Sequence, residues 1–267
     1  MLEGKTFLVT GACGGLGRAV VSLLAGRGAS VFAADIDREA LKELSEDGVH
    51  PLFLDVTDPA AVKLARVEIQ QAAPSLGGLV CAAGTYVGGP LLDVSEKDIR
   101  RALEVNVMGV VLVVKELFPL LREGSRVVLV SSESTRVAMP FTGPYIMSKC
   151  ALEAFAATLR REFLPLGIGV TVLQPGAIKT ALLASAANSL SGDSALPLYR
   201  KALNNASRVL GKEMKTGMEP DRVARLIVHC LESPHAPRLC RVGNDPLRAT
   251  LSRLPAPIVD AVVKRFL

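Results

Sequence analysis

Short apolar runs alternate with longer helical patterns along the first 180 residues. The runs lack polar alternation, as at residues 127–130, and this is typical of strands that are buried on both faces. Six strands are predicted, at residues 6–10, 30–34, 50–54, 78–82, 126–131 and 169–173. Helices are predicted between them, at residues 15–27, 38–46, 59–73, 95–121 and 145–164. The alternation predicts a doubly wound, Rossmann-type α/β fold, in which helices cover both faces of a parallel sheet.

The last third of the chain breaks this alternation. A seventh strand is predicted at residues 238–242, and no linker rich in Pro, Gly or Ser divides the chain. We therefore interpret residues 1–267 as one domain. Residues 181–216 lack a buried-strand pattern, and we interpret them as a helical substrate lid. Residues 246–267 form an amphipathic tail, which Pro255 and Pro257 divide into two pieces.

Composition narrows the class of protein. Hydrophobic residues make up 49% of the chain and charged residues 21%, as in a folded globular domain. The five cysteines are widely spaced, which argues against a disulfide scaffold and favours a reducing cytoplasm. The three histidines have no metal-ligand spacing, so no metal site is expected. We expect neither a signal peptide nor a membrane-spanning segment.

The charge of the chain is unevenly distributed. Residues 181–267 hold 13 Lys and Arg against 7 Asp and Glu, whereas residues 1–180 hold 18 against 19. A solvated surface is one interpretation of this basic region. The alternative is attraction for an anionic substrate or for an anionic membrane face, to which the tail would attach peripherally. Because aromatic residues are scarce and basic residues dispersed, no nucleic-acid partner is expected.

A glycine-rich turn follows the first predicted strand and opens the first helix. Its glycines let the backbone approach a pyrophosphate, and the helix N-terminus supplies free N–H groups and a positive dipole end. The residues expected to contact a dinucleotide here are Gly11, Cys13, Gly14, Gly15, Leu16 and Gly17.

Asp35 ends the second predicted strand, 18 residues after Gly17. A carboxylate there accepts hydrogen bonds from both ribose hydroxyls of an adenosine, and it repels a 2′-phosphate. The nearest cations, Arg18 and Arg38, are interpreted as a helix-surface and a helix-start residue. NAD is therefore predicted in preference to NADP. Taken alone, Asp35 could equally be a turn or N-cap residue.

Four more residues are candidates for catalysis: Asn106, Ser132, Tyr145 and Lys149. A phenol has a pKa of about 10 and is a poor base at neutral pH. Tyr145 and Lys149 stand at i and i+4 on one helix face, where the ammonium favours the phenolate. Such a tyrosine can exchange a proton with an alcohol or a ketone while hydride moves. Ser132 would position the reacting oxygen.

With these residues the chain resembles the short-chain dehydrogenase/reductase family over roughly residues 4–245. The resemblance implies that Tyr145 is the general acid/base and that Lys149 also holds ribose hydroxyls of the cofactor. Asn106 matches the asparagine that links the lysine through water to solvent. The resemblance also implies cofactor contacts by a second set of residues: Asp55 and Val56 at the adenine, and Pro175, Gly176, Ile178 and Thr180 at the carboxamide.

The chain departs from the family pattern in two places. The usual Asn-Asn-Ala-Gly is here Cys81-Ala82-Ala83-Gly84, so backbone contact with the cofactor by Ala82, Ala83 and Gly84 is expected to survive while side-chain support for the sheet differs. After Ser132 the chain continues Glu133-Ser134-Thr135, where small residues and Gly are common in relatives. Glu133 could contact substrate or face water, and we expect it to face water.

Residues 152–176 and the tail resemble the branch of retinol, hydroxysteroid and 3-hydroxybutyrate dehydrogenases. This implies an NAD-dependent oxidoreductase that interconverts a secondary alcohol and a ketone, in a homodimer or homotetramer. The lid contains six leucines whose apolar side chains suit a lipophilic substrate: Leu182, Leu183, Leu190, Leu196, Leu198 and Leu203. Three alternatives stay open: these leucines merely pack the lid, basic lid residues bind a small hydroxy acid, or the protein is a non-catalytic NAD-binding regulator. The tail is expected to pack between subunits or, alternatively, to meet a membrane surface.

Overall fold

Seven parallel strands form one sheet in the computed structural model, which describes residues 2–190 and 197–265. Leu196 of the predicted lid and Phe266 of the predicted tail lie outside the described residues. The strands are β1 (Thr6–Thr10), β2 (Ser30–Asp35), β3 (Val49–Phe53), β4 (Leu76–Cys81), β5 (Leu121–Val130), β6 (Gly169–Pro175) and β7 (Leu239–Val242). Their order in the sheet is β3-β2-β1-β4-β5-β6-β7. The doubly wound fold is confirmed.

Helices cover both faces of the sheet. They are α1 (Gly15–Ala25), α2 (Arg38–Lys42), α3 (Pro59–Ala72), α4 (Glu96–Leu103), α5 (Gly109–Leu117), α6 (Gly143–Phe163), α7 (Ala181–Ser189), α8 (Arg200–Thr216), α9 (Pro220–Glu232), α10 (Pro246–Leu251) and α11 (Ala256–Val263). One apolar core packs α3, α5 and α6 on the sheet, and a second packs α1, α2 and α9 on the opposite face. Leu8 enters the first core while its neighbours Phe7 and Val9 enter the second. This two-sided burial explains the uninterrupted apolar strands.

The helix predicted at residues 95–121 is wrong in its length. Helix α4 ends at Leu103, a π-helical turn spans Glu104–Met108, and α5 ends at Leu117. A 3₁₀ turn containing Pro119 then leads into β5, which begins at Leu121. The π turn coincides with Asn106, whose buried side chain bonds the backbone of another segment. Tertiary hydrogen bonds of this kind are invisible to helical periodicity.

Helix α9 lies in a part of the chain where no helix was predicted. Its buried side chains recur at helical spacing on the face that packs in the second core: Val223, Ala224, Ile227, Val228, Cys230 and Leu231. Pro220 stands in its first turn, a position that suits proline. The apolar period was therefore present in the sequence, and our interpretation overlooked it.

The C-terminal third contains two further pairs of helices, one after β6 and one after β7. Helices α7 and α8 occupy the segment interpreted as a lid, where Leu190 and Leu203 are buried against Phe141. Leu198 is 83% exposed. Helices α10 and α11 occupy the tail, separated near Pro255. None of the described helices combines the length and apolarity needed to cross a membrane.

Candidate functional site

The glycine-rich turn between β1 and α1 is closed tightly against the end of β4. Gly11 has a φ of +69°, and a Cβ on it would lie 2.7 Å from Cα of Ala83. A Cβ on Gly17 would collide with the carbonyl group of Gly11. These positions therefore require glycine, and the narrow turn leaves the N-terminus of α1 open to a ligand.

The segment after β6 crosses close to the same helix end. A Cβ on Gly15 would lie 3.2 Å from Cγ2 of Thr180, so the two predicted cofactor segments face each other. Ile178 forms a β-bridge with Met218, which fixes this segment. Gly176 approaches the carbonyl group of Gly243 so closely that a side chain would not fit. The structure thus brings together the glycine-rich turn and the segment of residues 176–180, two parts of the predicted dinucleotide site.

Thr10 supports the alanine pair that follows β4. Its backbone carbonyl accepts a hydrogen bond from the amide of Ala82 at 3.2 Å, and its hydroxyl accepts one from the amide of Ala83 at 3.3 Å. Thr10 itself is buried. A side chain from β1 therefore holds the alanine pair in place.

Asp35 is the last residue of β2 and lies against the glycine-rich turn. Its carboxylate accepts hydrogen bonds from the amides of Cys13 at 2.9 Å and Asp37 at 3.1 Å. Asp37, rather than Asp35, caps α2 by accepting from the amides of its first turn. Burial, together with the charge of Asp35, raises the pKa of the Cys13 thiol to about 11, so this thiol is protonated at neutral pH.

The two arginines nearest Asp35 are engaged elsewhere. Arg18 pairs with Glu43 at 3.2 Å, and the guanidinium of Arg38 lies 3.4 Å from the ring centroid of Phe53. Just after β3, the Asp55 carboxylate accepts hydrogen bonds from the amide and hydroxyl of Thr57, while Val56 is buried.

Tyr145, Lys149, Ser132 and Asn106 meet at the carboxyl ends of β4 and β5. Lys149 donates a 2.8 Å hydrogen bond to the carbonyl oxygen of Val130, and its Nζ lies 5.8 Å from the Tyr145 ring centroid. A Cβ on Gly84 would lie 3.2 Å from Asn106 Oδ1 and 3.7 Å from Lys149 Nζ. The four predicted residues are therefore adjacent.

Asn106 is held rigidly at this site. Its Oδ1 accepts from the amide of Thr85 at 2.8 Å, and its Nδ2 donates to the carbonyl of Thr85 and to the hydroxyl of Ser148, each at 2.9 Å. Ser132 in turn accepts hydrogen bonds from the amide and the hydroxyl of Ser134, so its own proton is free for another acceptor.

Burial shifts the proton equilibria of both central groups towards their neutral forms. It raises the pKa of the Tyr145 phenol, and the hydrogen bond with Ser132 opposes that rise. Burial also lowers the pKa of Lys149 from 10.5 to about 8. The lysine therefore titrates close to neutral pH, where proton exchange with Tyr145 is useful.

We expect this lysine to make stability depend on pH. Between pH 8 and 10.5 the unfolded chain binds the proton that the folded chain has released, so the free energy of unfolding rises with pH. The rise amounts to about 3 kcal/mol over that window. Urea unfolding of the wild type and of Lys149→Met along this pH range measures it, because the variant lacks the titrating amine. Parallel pH curves for the two proteins would contradict the shifted pKa.

Glu133 is buried, and the expectation that it faces water is wrong. Its carboxylate accepts hydrogen bonds from Arg248 at 3.1 Å and from the amide of Asp245 at 2.7 Å. Arg248 also pairs with Glu213 at 3.2 Å. This Glu133–Arg248–Glu213 cluster ties the loop of Ser132 to α8 and α10. Burial of the carboxylate is tolerable because an arginine compensates it.

Three residues of the site region escaped the sequence analysis: Tyr86, Glu213 and Arg248. The ring of Tyr86 packs on that of Tyr145, with centroids 4.9 Å apart. Its position, two residues after Gly84 at the carboxyl end of a parallel strand, was a usable signal. Glu213 and Arg248 carry no local signal, since their importance arises only when α8 and α10 meet the Ser132 loop.

Comparison with known proteins agrees with this geometry. The family model for short chain dehydrogenase matches residues 5–190. The chain is 33% identical to the uncharacterized oxidoreductase YusZ of Bacillus subtilis (strain 168), across 100% of the chain and 99% of that protein. It is also 33% identical to retinol dehydrogenase 5 of Homo sapiens, across 96% and 86% of the two chains.

Solved structures show the same architecture. A short-chain dehydrogenase from Streptomyces avermitilis superposes with a TM-score of 0.81 at 25% identity, over 98% of this chain and 95% of that one. A short chain dehydrogenase/reductase from Burkholderia phymatum in complex with NAD gives 0.82 at 24% identity, over 98% and 96%.

Proposed function

Because the chain belongs to the short-chain dehydrogenase family, we propose that it is an NAD-dependent oxidoreductase that interconverts a secondary alcohol and a ketone. The observation that carries the proposal is the meeting of Tyr145, Lys149 and Ser132 near Gly84, whose neighbour Ala83 packs on Gly11 of the glycine-rich turn. The family's oxidoreductase activity and the retention of all three side chains argue against a non-catalytic regulator.

The residues present fit a nicotinamide dinucleotide. The turn that admits only glycine, the open N-terminus of α1 and the carboxylate of Asp35 would hold the adenosine and pyrophosphate. The segment of Ile178 and Thr180 would hold the nicotinamide end. When bound, the cofactor supplies the hydride acceptor or donor.

Tyr145 exchanges a proton with the substrate oxygen in this mechanism. Ser132 donates a hydrogen bond to the same oxygen and fixes its position. The Lys149 ammonium stabilises the phenolate electrostatically, which offsets the burial that raises the pKa of Tyr145. Asn106 positions the segment of Thr85 and the helix turn of Ser148, so that the lysine and the tyrosine keep their mutual geometry.

The preference for NAD rests on Asp35 and on the engagement of Arg18 and Arg38. We expect Asp35→Ser to lower kcat/KM for NAD about ten- to hundredfold, because it removes hydrogen bonds to a charged acceptor worth about 1.5–3 kcal/mol. The same change should raise kcat/KM for NADP, since it removes a repulsive charge. Steady-state kinetics with both cofactors measure the shift. Asp37→Ser is the control, because Asp37 caps α2 instead. An unchanged NAD/NADP ratio in Asp35→Ser would contradict this assignment.

We propose a lipophilic substrate. Support comes from the similarity to retinol dehydrogenase 5 and from three exposed apolar side chains on the segments around Phe141: Leu91, Leu92 and Leu198, which are 56%, 85% and 83% exposed. The alternative of a small hydroxy acid is less well supported, because the basic residues of α8 that were considered for it are exposed: Arg200, Lys201, Arg208, Lys212 and Lys215.

A homologous series of 2-alkanols tests the substrate class. Burial of each added CH₂ is worth about 0.8 kcal/mol, so kcat/KM should rise about fourfold per carbon until the site is filled. Oxidation rates with NAD from 2-butanol to 2-decanol measure this trend. A flat series, combined with turnover of 3-hydroxybutyrate, would contradict the proposal and favour the hydroxy acid.

We propose that the tail contributes to a homodimer or homotetramer. Helix α11 has no buried side chain among its residues, and Ile258 is 48% exposed, so an apolar face remains for another subunit. The alternative is peripheral attachment of this basic tail to a membrane. Sedimentation velocity and co-sedimentation with anionic liposomes distinguish the two, since only a membrane-binding tail pellets with lipid.

A further inference from the structure

Tyr86 presents a hydroxyl group that the mechanism above does not use. The rings of Tyr86 and Tyr145 are tilted by 39° with centroids 4.9 Å apart, so Tyr86 lies directly beside the catalytic residue. Its hydroxyl oxygen is buried and has no hydrogen-bond partner within residues 2–190 and 197–265. Burial raises the pKa of this phenol well above its ordinary value of 10, so it is a neutral hydrogen-bond donor at physiological pH.

Buried polar groups in proteins are nearly always paired, because an unpaired one destabilises the folded state. An unpaired hydroxyl beside an active site is therefore informative. The backbone packs closely around it: a Cβ on Gly88 would lie 2.8 Å from the Tyr86 hydroxyl and 2.9 Å from the carbonyl oxygen of Phe141. Residue 88 must therefore be glycine, because a side chain there would collide with the hydroxyl.

The backbone conformation of Phe141, next to Tyr86 and Gly88, is also unusual. It has a φ of +68°, a left-handed conformation that a phenylalanine rarely adopts, and its carbonyl accepts a 2.7 Å hydrogen bond from Gly89. Strained backbone of this kind persists where the surrounding structure enforces it, often at ligand sites. Two segments with special backbone requirements thus lie beside the Tyr86 hydroxyl.

We propose that Tyr86 is a substrate-binding residue that donates a hydrogen bond to a second oxygen of the substrate, near the carbon that reacts at Tyr145. This inference rests on the proposed function, since it deepens the description of the same site. A substrate with only one oxygen would leave the Tyr86 hydroxyl buried and unpaired. The site should therefore discriminate against such substrates.

The groups nearby indicate that the second oxygen is neutral. The Tyr86 phenol is an uncharged donor, which suits a hydroxyl or carbonyl oxygen. Arg248, the cation whose charge reaches Tyr86, is already paired with the carboxylates of Glu133 and Glu213. It is therefore not available to pair with a carboxylate of the substrate. We therefore assign the substrate to neutral molecules with a hydroxyl or carbonyl group near the reacting carbinol, such as diols and hydroxy ketones.

The test compares two probes, 2-octanol and 2,3-octanediol, as substrates with NAD. The chain has three tyrosines, so Tyr86→Phe and Tyr199→Phe remove the same hydroxyl group from two neighbouring places. We expect the wild type and Tyr199→Phe to favour the diol in kcat/KM, and Tyr86→Phe to reduce that preference at least tenfold. An unchanged diol/alcohol ratio in Tyr86→Phe would overturn the proposal.

Thermal unfolding without ligands gives a second readout that needs no turnover. Because the hydroxyl is unpaired in the free protein, Tyr86→Phe should melt at the wild-type temperature or above it. A lower melting temperature would show that the hydroxyl supports the fold, and this would overturn the proposal as well.

Failure of the proposed function is recognised separately. If the wild type oxidises neither probe, the assigned reaction is wrong. The thermal shift that 2,3-octanediol produces on the NADH complex then still tests Tyr86. Loss of this thermal shift in Tyr86→Phe, but not in Tyr199→Phe, supports the proposed hydrogen bond. A shift that persists in Tyr86→Phe overturns the proposal, and so does the lack of any shift in the wild type.

Discussion

Tyr145→Phe is expected to lower kcat by about 10²–10⁴-fold, the range contributed by positioned general acids and bases. The variant keeps the ring, and thus its packing against Tyr86, while it removes the group that exchanges the proton. NAD binding should persist, since the glycine-rich turn and Asp35 are untouched. Steady-state kinetics and NAD titration measure the two effects on the same samples.

Tyr199→Phe is the matched control for this variant. It removes a phenol hydroxyl from the segment that contacts Phe141, where no role in proton transfer is assigned. Its kcat should remain within about twofold of the wild type. Turnover by Tyr145→Phe at the wild-type rate would refute the general acid/base role, whereas loss of both turnover and NAD binding would indicate a folding defect.

Arg248→Met is expected to have the largest effect on stability. The change leaves the buried Glu133 carboxylate without its cation, and breaking a buried ion pair in this way costs about 3–5 kcal/mol. For a domain of this size the melting temperature should fall by about 6–20 °C. Differential scanning calorimetry at neutral pH measures the change.

A second substitution separates the charge from the packing. Glu133→Gln in the Arg248→Met background removes the uncompensated charge, so the double variant should recover a large part of the lost stability. Lys179→Met breaks an exposed pair with Glu219 and should cost at most about 1 kcal/mol. If Arg248→Met melted within a degree of the wild type, the cluster would have no structural importance.

Local signals explain why much of this site could be predicted. Strand β1 has the predicted bounds because a short apolar run ends at a glycine-rich turn. The turn, Asp35 and the spacing of Ser132, Tyr145 and Lys149 are all short-range patterns, and the parallel sheet brings them to one edge.

The parts that escaped prediction depend on contacts between distant segments. Glu133 and Arg248 are 115 residues apart, and nothing around Glu133 in the sequence indicates that a cation will cover it. Asn106 interrupts a helix because it bonds Thr85 across the sheet edge. Thr10 supports Ala83 from another strand. In each case a tertiary partner, rather than local propensity, determines the outcome.

The central claim, that this chain is an NAD-dependent enzyme, is tested most directly by the thermal stability of the wild type with NAD, NADH, NADP or NADPH, each added alone. A ligand at about 100 times its Kd stabilises the folded state by about 2.7 kcal/mol, which is measurable without knowledge of the substrate. We predict that NAD and NADH raise the melting temperature and that the phosphorylated forms do so far less. A shift confined to NADP and NADPH, or no shift with any of the four, would contradict the account.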